Sequence, residues 1–389
     1  MNRSLWLLAL CQGLFLTNNV TFIAINGLVG LSLAPYGWMA TLPVMGYVVG
    51  GALATPLVAA TQARFGRRTS FQIGLAVAVV SALAGAWCVA HHQFWGLVAA
   101  TVVAGYYSAN GQLYRFAAAE LALPAFREKA VSLVLTGGLL GAIAGPNLAA
   151  QTRTLMEVPF TGAYIVLAGV ALLAMVLMAW VQFPPHQPPT SQVHTGRPLT
   201  EIARQPAFLV ACLSASMGYG VMNLLMAATP LAMQQCGLSF DDAALVLEWH
   251  VIGMFAPGFF TGHLIKRFGT LPVMAVGLAL NLLCVAIALS GLELQQFVVS
   301  LFLLGVGWNF LFTGSTTLAL SAYRPEEKDR AQAAINFCVF AVMALSSLTS
   351  GALVITQGWA WLNIGSIPPL LLTAAGLLWL QLKGRAGRP

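Results

Sequence analysis

Runs of about twenty apolar residues, the length needed to span a bilayer, recur from end to end of this 389-residue chain. Twelve are read, at approximately 5–30, 36–61, 70–90, 94–117, 130–151, 160–182, 206–232, 241–265, 270–291, 295–320, 331–355 and 360–382. Only 7% of the residues are charged while 59% are hydrophobic, too few polar groups to cover a soluble domain of this length. An all-α membrane protein follows, because a helix satisfies its own backbone hydrogen bonds in lipid. The first run starts behind Arg3, carries many polar residues and shows no small-residue cleavage site after it. It reads as a retained span and not a signal peptide.

The basic residues set the expected orientation. All 18 Lys and Arg except Arg153 fall at the N-terminus, the C-terminus or the even-numbered connections, which the positive-inside rule places in the cytoplasm. Both termini are then cytoplasmic, the even number of spans agrees, and the compartment is a bacterial inner membrane. The net charge of +7 reports topology and contact with anionic lipid. No basic cluster is interleaved with aromatics in a soluble segment, so the bilayer is the expected partner and nucleic acid is not. The six Cys, at 11, 88, 212, 236, 284 and 338, show no CxxC spacing and mostly lie inside predicted spans, as small apolar residues do.

The longest polar, proline-rich stretch runs from Pro184 to Pro198 and favours an extended connection. It predicts an N-terminal six-helix bundle over 1–182, a linker over 183–205 and a C-terminal bundle over 206–389. The two halves echo each other. Arg64-Phe65-Gly66-Arg67-Arg68 stands between spans two and three, and Lys266-Arg267-Phe268-Gly269 between spans eight and nine. The connections after spans four and ten, Pro124 to Ala130 and Pro325 to Ala331, match in kind. Weak internal symmetry of six-span halves is the signature of transporters with alternating access.

Two motifs carry candidate chemistry. Met222-x-x-x-Met226 in span seven and His250-x-x-x-Met254 in span eight each place two soft donors on one helix face. Thioethers select Cu(I) and imidazole binds copper well. Taking span ends near 232 and 241, Met226 and Met222 lie roughly 9 and 15 Å below the outer end, and His250 and Met254 roughly 13 and 19 Å. The layers overlap, so the spacing permits convergence, and helix rotation decides whether it occurs. Methionine pairs in membrane helices are commonly packing, whereas an ionisable group at the depth of His250 usually faces a cavity or the bundle interior. Cys236, at the outer end of span seven, and Glu248, two residues before His250, are possible accessories. Glu248 could instead pair with a neighbouring span, carry a proton or sit at the interface. His91, His92, His186 and His194 read as solvated. Asn18, Asn19, Asn26, Asn110, Gln112, Arg115, Asn309 and Asn336 read chiefly as interhelical hydrogen-bonding groups, with Arg115 near Glu120 at the cytoplasmic mouth.

The chain resembles the major facilitator superfamily on its two-half pattern and on the Arg64-x-Gly66-Arg67-Arg68 turn, which is similar to that superfamily's cytoplasmic loop. The resemblance implies the major facilitator fold, twelve helices in two pseudo-symmetric bundles. It also implies a gating role for Arg64, Gly66, Arg67, Arg68, Arg267 and Gly269. Ala63 and Lys266 stand where the family usually has an acid. Gly137, Gly141 and Gly145-Pro146 in span five resemble the glycine-proline signature of antiporters, and such spacing allows close helix packing whatever the direction of transport. Spans seven and eight resemble the CcoA-like copper importers, which implies Met222, Met226, His250 and Met254 as ligands of a copper cargo supplied to cbb-type oxidase assembly. No resident cofactor is expected, and the protein is expected to be a monomer. Two rivals stand beside this reading. One is a carrier of an organic molecule such as riboflavin, stacked on Trp249 and Trp308, and the other is a membrane sensor that transports nothing. No nucleotide loop, activated nucleophile or closed zinc site suggests an enzyme.

Overall fold

The protein is described by a computed structural model covering residues 3–123, 130, 133–134, 137–183, 196–324 and 327–386. The N-terminal helices are α1 (Arg3–Leu33), α2 (Leu42–Ala90), α3 (Phe94–Gly111), α4 (Tyr114–Leu121), α5 (Gly138–Thr152) and α6 (Thr161–Ala179). A short α7 (Leu199–Ala203) leads to α8 (Pro206–Gln235), α9 (Phe240–Phe255), α10 (Gly258–Phe268), α11 (Thr270–Ser290), α12 (Leu294–Leu320), α13 (Lys328–Thr356) and α14 (Gly358–Ala386). No strand occurs among the described residues. Among the described residues nine helical segments are long and apolar enough to cross a membrane, and ten if the bent pair α9–α10 counts as one span. The other two expected spans fall on α3–α4, interrupted at Gln112 and Leu113, and on α5, whose approach lies partly outside the described residues.

The expected loop between residues 61 and 70 is not a loop. Helix runs through it, and the chain turns at Gly66 alone, with φ 78° and ψ 172°. Gly269 repeats this with φ 90° and ψ 161°. That region of backbone space is open to glycine and closed to residues with a Cβ, so both arginine-phenylalanine-glycine turns need their glycine. The likeness extends to side chains. The Arg64 guanidinium lies 5.1 Å from the Phe65 ring centre and that of Arg267 5.2 Å from Phe268.

Span eight begins at a capping box. Ser239 Oγ accepts from the Asp242 amide and Asp242 Oδ2 accepts from the Ser239 amide. It then bends by 41° between α9 and α10. Pro257, at the break, has no amide to continue the ladder. The Met254 carbonyl there accepts from Asn309 Nδ2 at 2.7 Å, while Thr261 donates to Asn309 Oδ1 at 2.7 Å, so α12 splints the bend. The span-five glycines admit α1 closely. A Cβ on Gly141 would lie 2.5 Å from Leu16 Cβ and 2.6 Å from the Thr17 amide.

The two sets of helices meet on the side opposite the basic connections. Phe160 and Phe240 pack edge to face at 5.3 Å, and Arg153 lies over both rings at 5.8 and 5.6 Å. Thr41 donates to the Ser347 carbonyl and accepts from the Gly351 amide. Gly27 lies against Ala227 and Leu231. Nearer the middle, Asn147 Nδ2 donates to Glu248 Oε2 at 3.0 Å. On the basic side, both ion pairs among the described residues stay on one side of the divide: Arg67 with Glu120, and Arg197 with Glu327.

We predict that Gly66→Ala and Gly269→Ala each cost about 1–3 kcal/mol, the strain of a Cβ at these angles. Gly262→Ala, in open space within α10, should cost nothing. Thermal unfolding in detergent checks this, and an undisturbed midpoint for Gly66→Ala would show the angle is not required.

Candidate substrate site

The four soft donors are all buried, with His250 fully enclosed and Met222, Met226 and Met254 at 2%, 5% and 6% exposure. At about 100° per residue, Met222 and Met226 share the side of α8 that carries Gly218 and Tyr219. That side meets α12, since a Cβ on Gly218 would lie 3.4 Å from Leu311 and the Tyr219 ring is 5.2 Å from Trp308. His250 also turns onto α12, its Nδ1 2.7 Å from the Leu301 carbonyl. A carbonyl only accepts, so Nδ1 carries the proton and Nε2 the lone pair. Nε2 is buried with no hydrogen-bond partner. Helices α8 and α9 touch each other only sparsely and each lies along α12 instead. The two motifs therefore share a layer and a neighbour.

The accessories fall away from this layer. Cys236 caps α8, ten residues beyond Met226, a rise of about 15 Å. Glu248 faces α5 through Asn147. Trp249 does not join Trp308. It is 44% exposed on the outer surface of α9, edge-on to Phe302 at 6.1 Å. Glu120 is held by Arg67, with Nη2–Oε1 at 2.6 Å and Nε–Oε2 at 3.1 Å, and the side chain of Arg115, expected near it, lies outside the described residues. Arg67 also reaches Gln62, and Arg68 the Ala179 carbonyl. These loop arginines thus brace the N-terminal helices.

What the structure assembles around Trp308 is an aromatic cluster. Trp308 and Phe312 stack at 5.0 Å and 11°, Tyr219 stands edge-on to both at 5.2 and 5.4 Å, and Phe255 closes the group at 6.3 Å from Trp308. Tyr219, Phe255 and Phe312 are half-buried, and the buried Trp308 Nε1–H has no acceptor. Tyr219 lies thirteen residues into α8 and Trp308 fourteen into α12, each about 20 Å from its helix start and so near mid-membrane. Sequence reasoning had Trp308 and missed Tyr219, Phe255 and Phe312. The one local signal was the i,i+4 spacing of Trp308 and Phe312.

Two asparagines of α1 hydrogen-bond to tyrosines of other spans, and a third lies against one. Asn19 Nδ2 donates to Tyr47 OH at 3.2 Å, Tyr164 OH donates to Asn26 Oδ1 at 2.9 Å, and Asn18 lies beside Tyr107. At the basic surface, Glu327 Oε1 accepts from the Arg197 amide and Nε, and Oε2 from Arg197 Nη2 and the Arg324 amide, all within 2.9 Å. The Arg197 side chain, then the Arg324 amide, hold the Glu327 carboxyl well below the usual carboxylate range.

A bundle of apolar helices with gathered mid-membrane side chains and packed ends on one side defines a membrane transport protein. The sequence model of the Major Facilitator Superfamily matches residues 5–255 and 211–388, and the chain belongs to that family. It is a multi-pass transporter and not an enzyme. It is 36% identical over 383 residues to the riboflavin transporter RfnT of Brucella anthropi, covering 98% of this chain and 96% of that one. In fold it is similar to a bacterial homologue of the human lysosomal transporter Spinster, with TM-score 0.72, 14% identity and coverage of 96% and 95% of the two chains. It is likewise similar to the human organic anion transporter MFSD10, with TM-score 0.71, 14% identity and coverage of 97% and 100%. The expected likeness to copper importers finds no counterpart among these three, whereas the rival organic cargo does.

A depressed carboxyl pKa contributes stability in full above the unfolded value and loses it as pH falls through the folded one. We predict that Glu327→Gln speeds hydrogen exchange at the Arg197 and Arg324 amides at neutral pH. In the parent protein those amides should stay protected from pH 7 down to the ordinary carboxylate range near 4.5 and loosen only below it. Equal exchange in both proteins would show that the carboxylate does not hold the linker.

Proposed function

We propose that this protein imports riboflavin, or a neutral flat aromatic of that kind, across a bacterial inner membrane by alternating access. The bundles 1–182 and 206–389 rock about a site between them, with both termini in the cytoplasm, so the packed side is the outer one and the protein faces inward. The observation that carries the reading is the mid-depth cluster of Tyr219, Phe255, Trp308 and Phe312. Flat rings stack on such a surface, and the unpaired Trp308 Nε1–H suits a ring carbonyl. The 36% identity to a riboflavin transporter along nearly the whole chain supports the same cargo.

Copper remains the second reading, favoured by the unpaired lone pair of His250 Nε2 and by three buried thioethers on helix faces that turn to the same neighbour, α12. Uptake of radiolabelled riboflavin and copper, measured side by side in cells expressing the chain, separates the two. Riboflavin should accumulate saturably. Trp308→Leu should reduce its uptake about tenfold or more, as loss of one stacking partner costs about 1–3 kcal/mol. Trp249→Leu, on the lipid surface, should leave it near normal. The double variant Met222→Leu with Met254→Leu keeps volume and should carry riboflavin normally. Copper uptake that falls in that double variant, with no riboflavin uptake in the parent protein, would put the metal in place of the flavin.

A further inference from the structure

A pocket lies within the N-terminal helices, away from the aromatic cluster. Its polar lining comes from Asn18 of α1, Tyr47 and Ser81 of α2, Thr101 and Tyr107 of α3 and Tyr164 of α6. In this conformation it closes down to about 30 Å³, room for one hydroxyl group or one water. Among the described residues its wall contains no Lys, Arg, Asp, Glu or His.

The hydrogen bonds already made define what the wall offers. Tyr164 OH donates to Asn26 Oδ1, Thr101 OH to the Val98 carbonyl at 2.7 Å and Ser81 OH to the Val77 carbonyl at 2.7 Å. Each of those protons is spent, so the three oxygens present lone pairs. Asn18 Oδ1 and Tyr107 OH, on residues only 7% and 3% exposed, are buried without a hydrogen-bond partner. Leaving an acceptor and a hydroxyl unpaired in a membrane interior is costly, so the pair is arranged for a visitor. Donor and acceptor capacity in one small uncharged pocket matches a neutral group that both gives and takes a hydrogen bond, which is a hydroxyl.

Asn18 stands fifteen residues into α1, about 22 Å from its start, level with Tyr219 and Trp308 in the other half. We infer that this pocket is the subsite for the hydroxyl-bearing end of the cargo, with Asn18 and Tyr107 as its specificity-determining residues. The inference rests on the flavin reading. Riboflavin joins a flat ring to a neutral polyhydroxylated ribityl chain, so the ring meets the aromatic cluster and the chain reaches across to the pocket. A phosphorylated chain finds no cation there and is rejected.

Purified full-length protein in detergent tests this with three probes. These are riboflavin, lumiflavin (the same ring with a methyl group for the chain) and flavin mononucleotide, each followed by equilibrium dialysis. Riboflavin should bind tightest. Tyr107→Phe keeps its ring against Phe15, a 5.3 Å edge contact, and removes only the hydroxyl. It should weaken riboflavin about tenfold and leave lumiflavin unchanged. Asn18→Leu should do the same. Equal losses for both flavins, or no loss for riboflavin in Tyr107→Phe, would overturn the subsite while leaving the flavin reading intact. Parent protein that binds neither riboflavin nor lumiflavin would remove the flavin reading, and the subsite with it.

Discussion

A bilayer interior supplies no hydrogen-bond partner, so a polar side chain carried into it must find one within the protein, on its own helix or another, or stay unpaired at a cost. The three asparagines of α1 show how far that constraint shapes this molecule. Asn19 and Asn26 are answered by tyrosines of α2 and α6, and Asn18 lies against a tyrosine of α3. One helix is thereby indexed against three others, at two depths. The glycines of α5 complete the arrangement by letting α1 approach closely along its other side. Where polar groups fix rotation and small residues fix distance, little freedom is left to the N-terminal helices.

The C-terminal helices obey the same constraint around α12. His250, the Met254 carbonyl at the break, the methionine-bearing face of α8 and the aromatic cluster all converge on it. Helix α12 therefore acts as the keel of that half, splinting the break in span eight and presenting Trp308 at mid-depth. The two halves are chemically unlike at that depth, one hydroxylic and one aromatic. The proposed cargo, with a flat face and a polar tail, would be held by both at once, and its transfer would then couple their motion.

How much of this was legible followed from how local each feature is. Apolar runs announce spans because length and composition are local, and the arginine-phenylalanine-glycine turns announce internal symmetry because Gly66 and Gly269 answer to their own backbone angles. Rotation is not local. Trp249 and Trp308 read alike in the sequence, and packing sends one to the lipid surface and the other into the cluster. Tyr219, Phe255 and Trp308 come from three helices, so no window of sequence contains them. The methionine and histidine motifs were visible through their four-residue spacing, yet that spacing fixes only a face of each helix, and both faces turn towards α12. Glu120 and Arg67 are fifty-three residues apart, which no periodicity connects.

Arg153 was the single exception to the basic pattern, and its position explains why. It lies between Phe160 of one half and Phe240 of the other, where Phe160 holds a left-handed backbone at φ 67°. A cation over aromatic faces at an exposed site is worth about 0.5–1 kcal/mol. That shifts a two-state balance only about two- to fivefold, far short of the ~5.5 kcal/mol that carries an equilibrium from one extreme to the other. The contact is therefore a thumb on the scale and not a bolt. In the proposed alternating-access cycle it biases the empty carrier towards closure on this side, while leaving reversal within reach of thermal motion and of a modest preference of the cargo for one state.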